Sequence, residues 1–508
     1  MTTAVHKAVP RPGLPGGTPR FALAPVAVVA ALGTVALLLS IGKYGFFGDE
    51  LYFVSGGRRL AVSYADQGPL LPLIARAMDL LAPGSLVALR VPAVVVTVGA
   101  VFVSAQIARE FGGSRAAQVL TALAYVTSPF LWVQGTQLAT NTIDTALWVL
   151  ITWLLVRWVR TGRDALLLWA GVATALDMQV KWLIPFFWVA VAIGVLISGP
   201  RELLRRPALW AGAGLVVVTM IPGLIWQSRH GWPQLGMGAV VAAEQASVGG
   251  RFTFVPLALL SAGLLGGVLL LAGIWALLRV PAFRPYRFLG WVVPLLLVAF
   301  VITDGRPYYL VGCYAAVAAA GAVWCTRAPV ARWRKIVVGP LVVASALLMV
   351  LSLPLKPEKD LEPVGDEASA GLAIGVWGKF GWPELAGSTA AAYRALPEEE
   401  RARAVIVADS YWQASALDVD RQRTGLPAAY SPNRGFGYFG VPPDTATTVL
   451  WVGGDGTEPR ERCGSVAPLG RADSRLGFPG LTRDVTIWRC ADPRTPWSQA
   501  WPDMLRLD

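Results

Sequence analysis

Charge is scarce in this 508-residue chain: Asp, Glu, Lys and Arg make up 15% of it, against 55% hydrophobic residues. A soluble protein of this size carries roughly a quarter charged residues, so an ordinary soluble fold is excluded. Histidine is scarcer still, limited to His6 and His230, and a solitary histidine is more often interfacial or hydrogen-bonded than a ligand. Cysteine is limited to four residues. Cys313 and Cys325 fall in an apolar stretch and read as small hydrophobes. Cys463 and Cys490 are the only pair in the polar C-terminal part; they form a disulfide if that part is extracytoplasmic, with two free thiols as the alternative. No heptad or solenoid repeat is evident. The first apolar run lacks a small-residue cleavage site before Tyr44, which argues against a signal peptide and for a retained span.

Long apolar runs are what the chain does have. About eleven runs approach the roughly 20 residues that span a bilayer, at 21–41, 91–108, 115–133, 143–159, 165–180, 182–198, 208–227, 254–278, 288–302, 308–326 and 336–354. The fold class is therefore a polytopic α-helical membrane protein. Residues 1–20, rich in Pro and Gly and holding Lys7, Arg11 and Arg20, read as a disordered cytoplasmic tail. With the N-terminus inside, the inner loops hold about twice as many Lys and Arg as the outer loops. That bias accounts for the net charge of +12 without nucleic acid as a partner. The division at Lys181 matters most, because a single kinked helix over 165–198 would reverse the sidedness of everything after it.

Past 355 the composition changes. Prolines at 354, 357 and 363 mark a linker over 356–364, and 365–508 alternates helix-like and strand-like stretches, an α/β domain placed outside by the odd number of spans. Strands are expected at 404–408, 448–452 and 485–488, and helices at 383–396 and near 412–425.

The first outer loop, 42–90, concentrates Asp49, Glu50, Arg58, Arg59 and Asp66 against the bilayer. Its stretches 50–62 and 69–82 read as short interfacial helices. Other charged outliers invite function because charge at membrane depth is costly. Each also has a plain reading. Asp144 suits a helix N-terminus, Lys181 suits a snorkelling lysine with Asp177 one turn away, and His230 lies between Trp226 and Trp232 as in an aromatic belt. Arg306, beside Tyr308 and Tyr309, anchors a helix end or binds phosphate. Yet Asp49, Glu50, Asp66, Asp144, Lys181, His230 and Arg306 all map to one face, which points to a shared cavity with acids for general-base or metal work and bases for an anionic group.

The runs Gly48-Asp-Glu-Leu-Tyr52, Tyr64-Ala-Asp-Gln-Gly-Pro-Leu-Leu71, Leu89-Arg-Val-Pro92, Thr142-Ile-Asp144, the stretch around Lys181, Trp226 to Pro233 and Gly305-Arg-Pro-Tyr-Tyr309 resemble, in order, the GT-C superfamily of membrane glycosyltransferases. The similarity is to its bacterial family 39 branch, near protein O-mannosyltransferases and lipid A aminoarabinose transferases. The stretch from Ala408-Asp-Ser-Tyr-Trp to Phe439-Gly-Val-Pro-Pro443 looks like the accessory domain of bacterial members. The resemblance implies an enzyme of the bacterial plasma membrane. It would be an inverting transferase that moves a mannose or pentose-like sugar from a polyprenyl-phosphate carrier to an extracytoplasmic lipid, glycan or protein acceptor. By that resemblance Asp49 is the base, and Glu50 orients it or binds acceptor. Lys181 and Arg306 take the donor phosphate with Arg58 and Arg59 as helpers, and Asp144, Tyr308 and Tyr309 line the acceptor or sugar site or serve structure. No cofactor is required, and Asp66 with His230 admits a divalent metal. Gln67 and Arg306 stand where relatives often have lysine. A lipid-linked-sugar transporter and a non-catalytic cell-envelope scaffold are the alternatives; the first expects polar residues on both faces or through the membrane.

Overall fold

The computed structural model describes residues 18–247, 249–327, 332–354 and 356–508. The expected tail, with His6, Lys7 and Arg11, lies outside the described residues as far as position 17.

The first part of the chain is helical: α1 (Leu23–Ile41), α2 (Gly48–Arg58), α3 (Leu70–Leu81), α4 (Leu86–Glu110), α5 (Arg115–Val126), α6 (Pro129–Gly135), α7 (Thr140–Thr161), α8 (Ala165–Met178), α9 (Ile184–Ser198), α10 (Pro207–Arg229), α11 (Pro233–Ser247), α12 (Gly250–Arg279), α13 (Arg287–Ile302), α14 (Val311–Thr326) and α15 (Arg332–Ser352). Among the described residues, seven helices are long and apolar enough to cross a membrane: α1, α4, α7, α10 and α12, with α13 and α14 counted together with the short turns that open them. Helices α5 and α6 reach that length and apolarity only together, bent by 63° at the break between them, the form of a broken span or a re-entrant loop. Pro129 disfavours helical backbone at Ser128, and the Ser128 hydroxyl caps α6 instead, accepting from the Leu131 amide at 3.5 Å. Three shorter apolar helices, α8, α9 and the body of α15, complete the set of expected segments.

The break at Lys181 is a hairpin tip. Trp188 Nε1 donates to Thr174 Oγ1 at 3.0 Å, and the two residues lie equally far along the chain from Lys181. A single kinked helix would hold them apart, so α8 and α9 run as separate, oppositely directed segments. At the centre sits α14, where every residue from Val311 to Val323 is buried. Its alanines and glycines let neighbouring backbones come close, the packing that serves helices without a hydrophobic driving force between them.

The C-terminal part adds α16 (Trp382–Ala395), α17 (Tyr411–Val419) and α18 (Trp497–Met504) around a five-stranded sheet. Its strands are β1 (Ala404–Ala408), β2 (Ala429–Tyr430), β3 (Thr448–Val452), β4 (Cys463–Ala472) and β5 (Val485–Pro493), in the order β2-β1-β3-β5-β4. β1 runs parallel to β2 and β3, and β5 antiparallel to β3 and β4. β1 and β3 are buried along their whole length because helices cover both faces. Trp497 and Trp501 of α18 pack on Val407, Val449 and Trp451. On the other face Ile406 and Leu450 share one core with α16, α17 and the apolar side chains Leu51, Tyr52, Phe53 and Val54 of α2. Helix α2 thus belongs as much to the C-terminal core as to the loop that carries it. A disulfide joins Cys463 to Cys490, with Cα atoms 5.7 Å apart.

Candidate active site

Helix α2 starts with no hydroxyl cap. Glu50 does that work from inside the helix, its Oε2 accepting from the Phe47 amide at 2.8 Å. The same carboxylate takes Arg90 as a fork, at 2.8 Å from Nε and 2.7 Å from Nη2, and the Leu138 amide at 2.9 Å. Arg90 spends its other donors on the carbonyls of Ile41 at 2.9 Å and Gly45 at 2.8 Å. Both side chains are fully buried. Glu50 therefore holds the loop to Arg90 of α4 and to the turn before α7, and these donors take its four lone-pair directions, leaving none for the expected role in orienting Asp49 or binding acceptor.

Asp49, one residue earlier, is half-buried and faces the C-terminal domain. Its Oδ1 accepts from the Tyr411 hydroxyl at 2.8 Å and from Trp412 Nε1 at 2.8 Å. Among the described residues no donor reaches Oδ2. Gly48 makes this approach feasible, since a Cβ there would lie 2.1 Å from the Trp412 ring. Deeper in, Tyr52 donates to Asp66 Oδ1 at 2.9 Å. Gly435 closes over this bond, because a Cβ at that position would fall on the Tyr52 hydroxyl. Burial, then the neighbouring acids, pushes the Tyr52 phenol well up, so it stays a proton donor. Burial also raises the Asp66 carboxyl, against the pull of Arg434.

Arg434 is the hub of the site. Its backbone adopts φ 49°, and its main-chain amide is tied to the Arg506 carbonyl at 2.7 Å. The guanidinium lies over the Tyr411 ring, 4.9 Å from its centroid, and donates to the Tyr411 hydroxyl at 3.2 Å. Burial works against its charge, but Tyr411, Glu244, Asp66 and Asp49 outweigh that and keep it cationic. Glu244, on α11, accepts from Arg434 Nη2 through Oε1 at 2.5 Å and from Arg306 through Oε2. Arg306 in turn donates to the Tyr308 hydroxyl at 3.0 Å. Lys181 Nζ lies 4.3 Å from the Tyr309 ring centroid and 5.5 Å from that of Tyr308, and donates to Asn141 at 2.8 Å. Asp144 is buried below it, beside Asp177. A continuous set of contacts runs from Asp49 through Tyr411, Arg434, Glu244 and Arg306 to the tyrosine pair and Lys181.

Two expectations fall outside this set. Arg59 grips Asp418 of α17 with two donors, at 2.8 and 2.7 Å, and lies over Phe436 and Phe439. Arg58 donates to the Asp418 carbonyl at 3.1 Å. Both sit at the far end of α2 from Asp49, about 14 Å away at helical rise, and these bonds fasten the two parts of the protein together, apart from the contacts that join Lys181 and Arg306. His230 is exposed, stacks on Trp226 at 4.0 Å, and its Nδ1 lies 2.7 Å from the Trp226 carbonyl. It shares no hydrogen bond with Asp66, and no group of three or more His, Cys, Asp or Glu side chains is placed to hold a metal among the described residues. Asp66 is committed to Tyr52 within the field of Arg434, which repels a cation, so these residues do not fit a metal centre.

Arg434 and Glu244 were missed at the level of sequence. Glu244 had one signal: it is the only acid between Glu202 and Asp304. Arg434 lies in the glycine- and aromatic-rich run Asn433-Arg-Gly-Phe-Gly-Tyr-Phe439, whose partners are distant in the chain.

This architecture, an apolar helical bundle with an acid-bearing loop at one face covered by an α/β domain, has counterparts among solved structures. More particularly, the fold matches ArnT from Cupriavidus metallidurans. The apo structure aligns with a TM-score of 0.59 and 14% identity over 92% of this chain and 99% of that one. The structure bound to undecaprenyl phosphate aligns with a TM-score of 0.57 at the same identity and coverage. Residues 66–226 match the family model of dolichyl-phosphate-mannose-protein mannosyltransferases. No curated protein matches the chain in sequence.

Proposed function

We propose that this protein is an inverting glycosyltransferase that moves a mannose or pentose-like sugar from a polyprenyl-phosphate carrier to an extracytoplasmic lipid, glycan or protein acceptor. Its place is the bacterial plasma membrane, with the N-terminus cytoplasmic and the C-terminal domain outside. The observation that carries this reading is the state of Asp49: one carboxylate oxygen fixed by Tyr411 and Trp412, the other without a donor among the described residues. A carboxylate so held has one oxygen ready to accept a proton.

In the reaction the acceptor hydroxyl oxygen attacks the anomeric carbon from the side opposite the phosphate. A new C–O bond forms as the bond from the anomeric carbon to the phosphate oxygen breaks, which inverts that carbon. The hydroxyl proton passes to Asp49 Oδ2, and the bonding pair leaves with the polyprenyl phosphate. The cations along this set of contacts, Lys181, Arg306 and Arg434, are suited to the charge that grows on the leaving phosphate. Tyr308 and Tyr309 lie against Lys181, and Asp144 is close enough to Lys181 to feel its charge. ArnT's complex with undecaprenyl phosphate supports the carrier class, and the family model over 66–226 supports a mannosyl donor.

Membranes containing the protein, supplied with radiolabelled polyprenyl-phosphate mannose or pentose, are expected to yield a protein-dependent labelled product of inverted anomeric configuration. No product from either donor with folded protein overturns the reading.

A further inference from the structure

The contact between Glu244 and the two arginines has a chemistry of its own. Arg306 precedes the short turn that leads into α14 in the membrane part, and Arg434 belongs to the C-terminal domain. One carboxylate bridges them, each oxygen serving one guanidinium. The arginines are the more enclosed partners, their side chains 32% and 17% exposed, while Glu244, on α11, is 39% exposed. The other acids of the site hold different partners, Asp49 with Tyr411 and Trp412 and Asp66 with Tyr52. Lys181 makes no ion pair among the described residues; its direct partners are the neutral Asn141 and the tyrosine rings. The anion between the arginines is therefore supplied from within.

We propose that Arg306 and Arg434 together form the seat of the donor phosphate, and that Glu244 occupies this seat as an internal competing anion until the lipid phosphate displaces it. This inference rests on the lipid-phosphate reading of the site. Guanidinium forks accept carboxylate and phosphate oxygens in the same geometry, so one can replace the other without rearranging the arginines. A sugar phosphodiester carries one negative charge, as Glu244 does, and the exchange leaves the charge of the site unchanged. After transfer the lipid phosphate is a monoester carrying about −1.5 to −2 at neutral pH, which two arginines hold more strongly. The return of Glu244 then works against that grip and promotes release. A competing internal anion must also weaken the measured affinity for the lipid by the fraction of protein in which the seat is taken.

The test is equilibrium binding of undecaprenyl phosphate to the full-length detergent-solubilised protein. Glu244→Gln, similar in shape and partly exposed, is expected to tighten binding by about tenfold or more. Under the transfer assay the same variant is expected to show a lower donor KM together with a lower kcat, as product leaves more slowly. Arg434→Gln is expected to weaken binding by about tenfold or more in both the wild-type and Glu244→Gln backgrounds; if it fails to fold, Arg306→Gln carries that arm. Glu244→Gln that binds the lipid no tighter than wild type, or more weakly, shows Glu244 to be a structural strap and overturns the inference while leaving the lipid-phosphate reading in place. Neither protein binding the lipid overturns that reading and the inference with it.

Discussion

A carboxylate at a membrane edge becomes a base only when something fixes it without consuming both oxygens. Asp49 meets that condition and Glu50, adjacent in sequence, does not. The same contrast of burial and partners governs Lys379, three residues before α16, which is buried near Arg90 and Glu50. Burial first, then the charge of Arg90, lowers its ammonium to about 7, with Glu50 opposing. Unfolded, the group titrates near 10.5. From about 7 up to 10.5 the unfolded chain binds more protons than the folded one, so stability rises with pH across that window, and the penalty is complete below it. Lys379→Met is expected to melt at a higher temperature than wild type near pH ~6, with the gap narrowing by pH ~9. A gap of equal size at both pH values would contradict the assignment. What was legible at this scale was position: Asp49, Asp66, Lys181 and Arg306 stand out as charge at a bilayer edge, and the fold gathers them on one face. What was not legible was partnership. Arg59 and Asp418 are 359 residues apart, and nothing local to Arg59 announces a carboxylate waiting in another domain.

At the scale of the element, α2 explains why the site is rigid. Its apolar side chains enter the core of the C-terminal domain, Glu50 ties its start to α4 and α7, and Arg59 bolts its end to α17. Asp418 is 5% exposed and accepts from Ser55 at 2.9 Å as well as from Arg59, so removing the guanidinium strands a buried charge. Arg59→Ala is expected to cost about 1–3 kcal/mol of stability, read as a lower melting temperature, with Arg59→Lys recovering only part because it lacks the fork. Unchanged melting in Arg59→Ala would show the bolt to be dispensable. The apolar runs were readable as helices because their length is set by the bilayer, and β1 and β3 because two buried faces demand an unbroken run such as Ala-Val-Ile-Val-Ala. β4 was not readable. Its sequence, Cys-Gly-Ser-Val-Ala-Pro-Leu-Gly-Arg-Ala, carries Pro468 and two glycines, which an edge strand with an irregular register tolerates and a central strand does not.

For the whole molecule, Asp49, the proposed base, sits at a joint between the two parts. Asp49 and Asp66 come from the loop after α1, while Tyr411, Trp412 and Arg434 come from a domain that begins about 300 residues later in the chain. Neither part assembles the site alone. That arrangement gives the C-terminal domain a task beyond covering the membrane part: it supplies both donors to Asp49 and one of the two arginines that face Glu244. Glycosyl transfer at this joint, with Asp49 as base, is the central claim, and the most direct measurement is transfer from the labelled polyprenyl-phosphate donor by Asp49→Asn protein beside wild type, at matched expression and melting temperature. Asparagine keeps the size of the side chain and can no longer take the acceptor's proton, so transfer is predicted to fall by at least about a hundredfold. Transfer by Asp49→Asn at the wild-type rate would contradict the account, because the proton would then have another destination and the Tyr411–Trp412 clamp would be structural only.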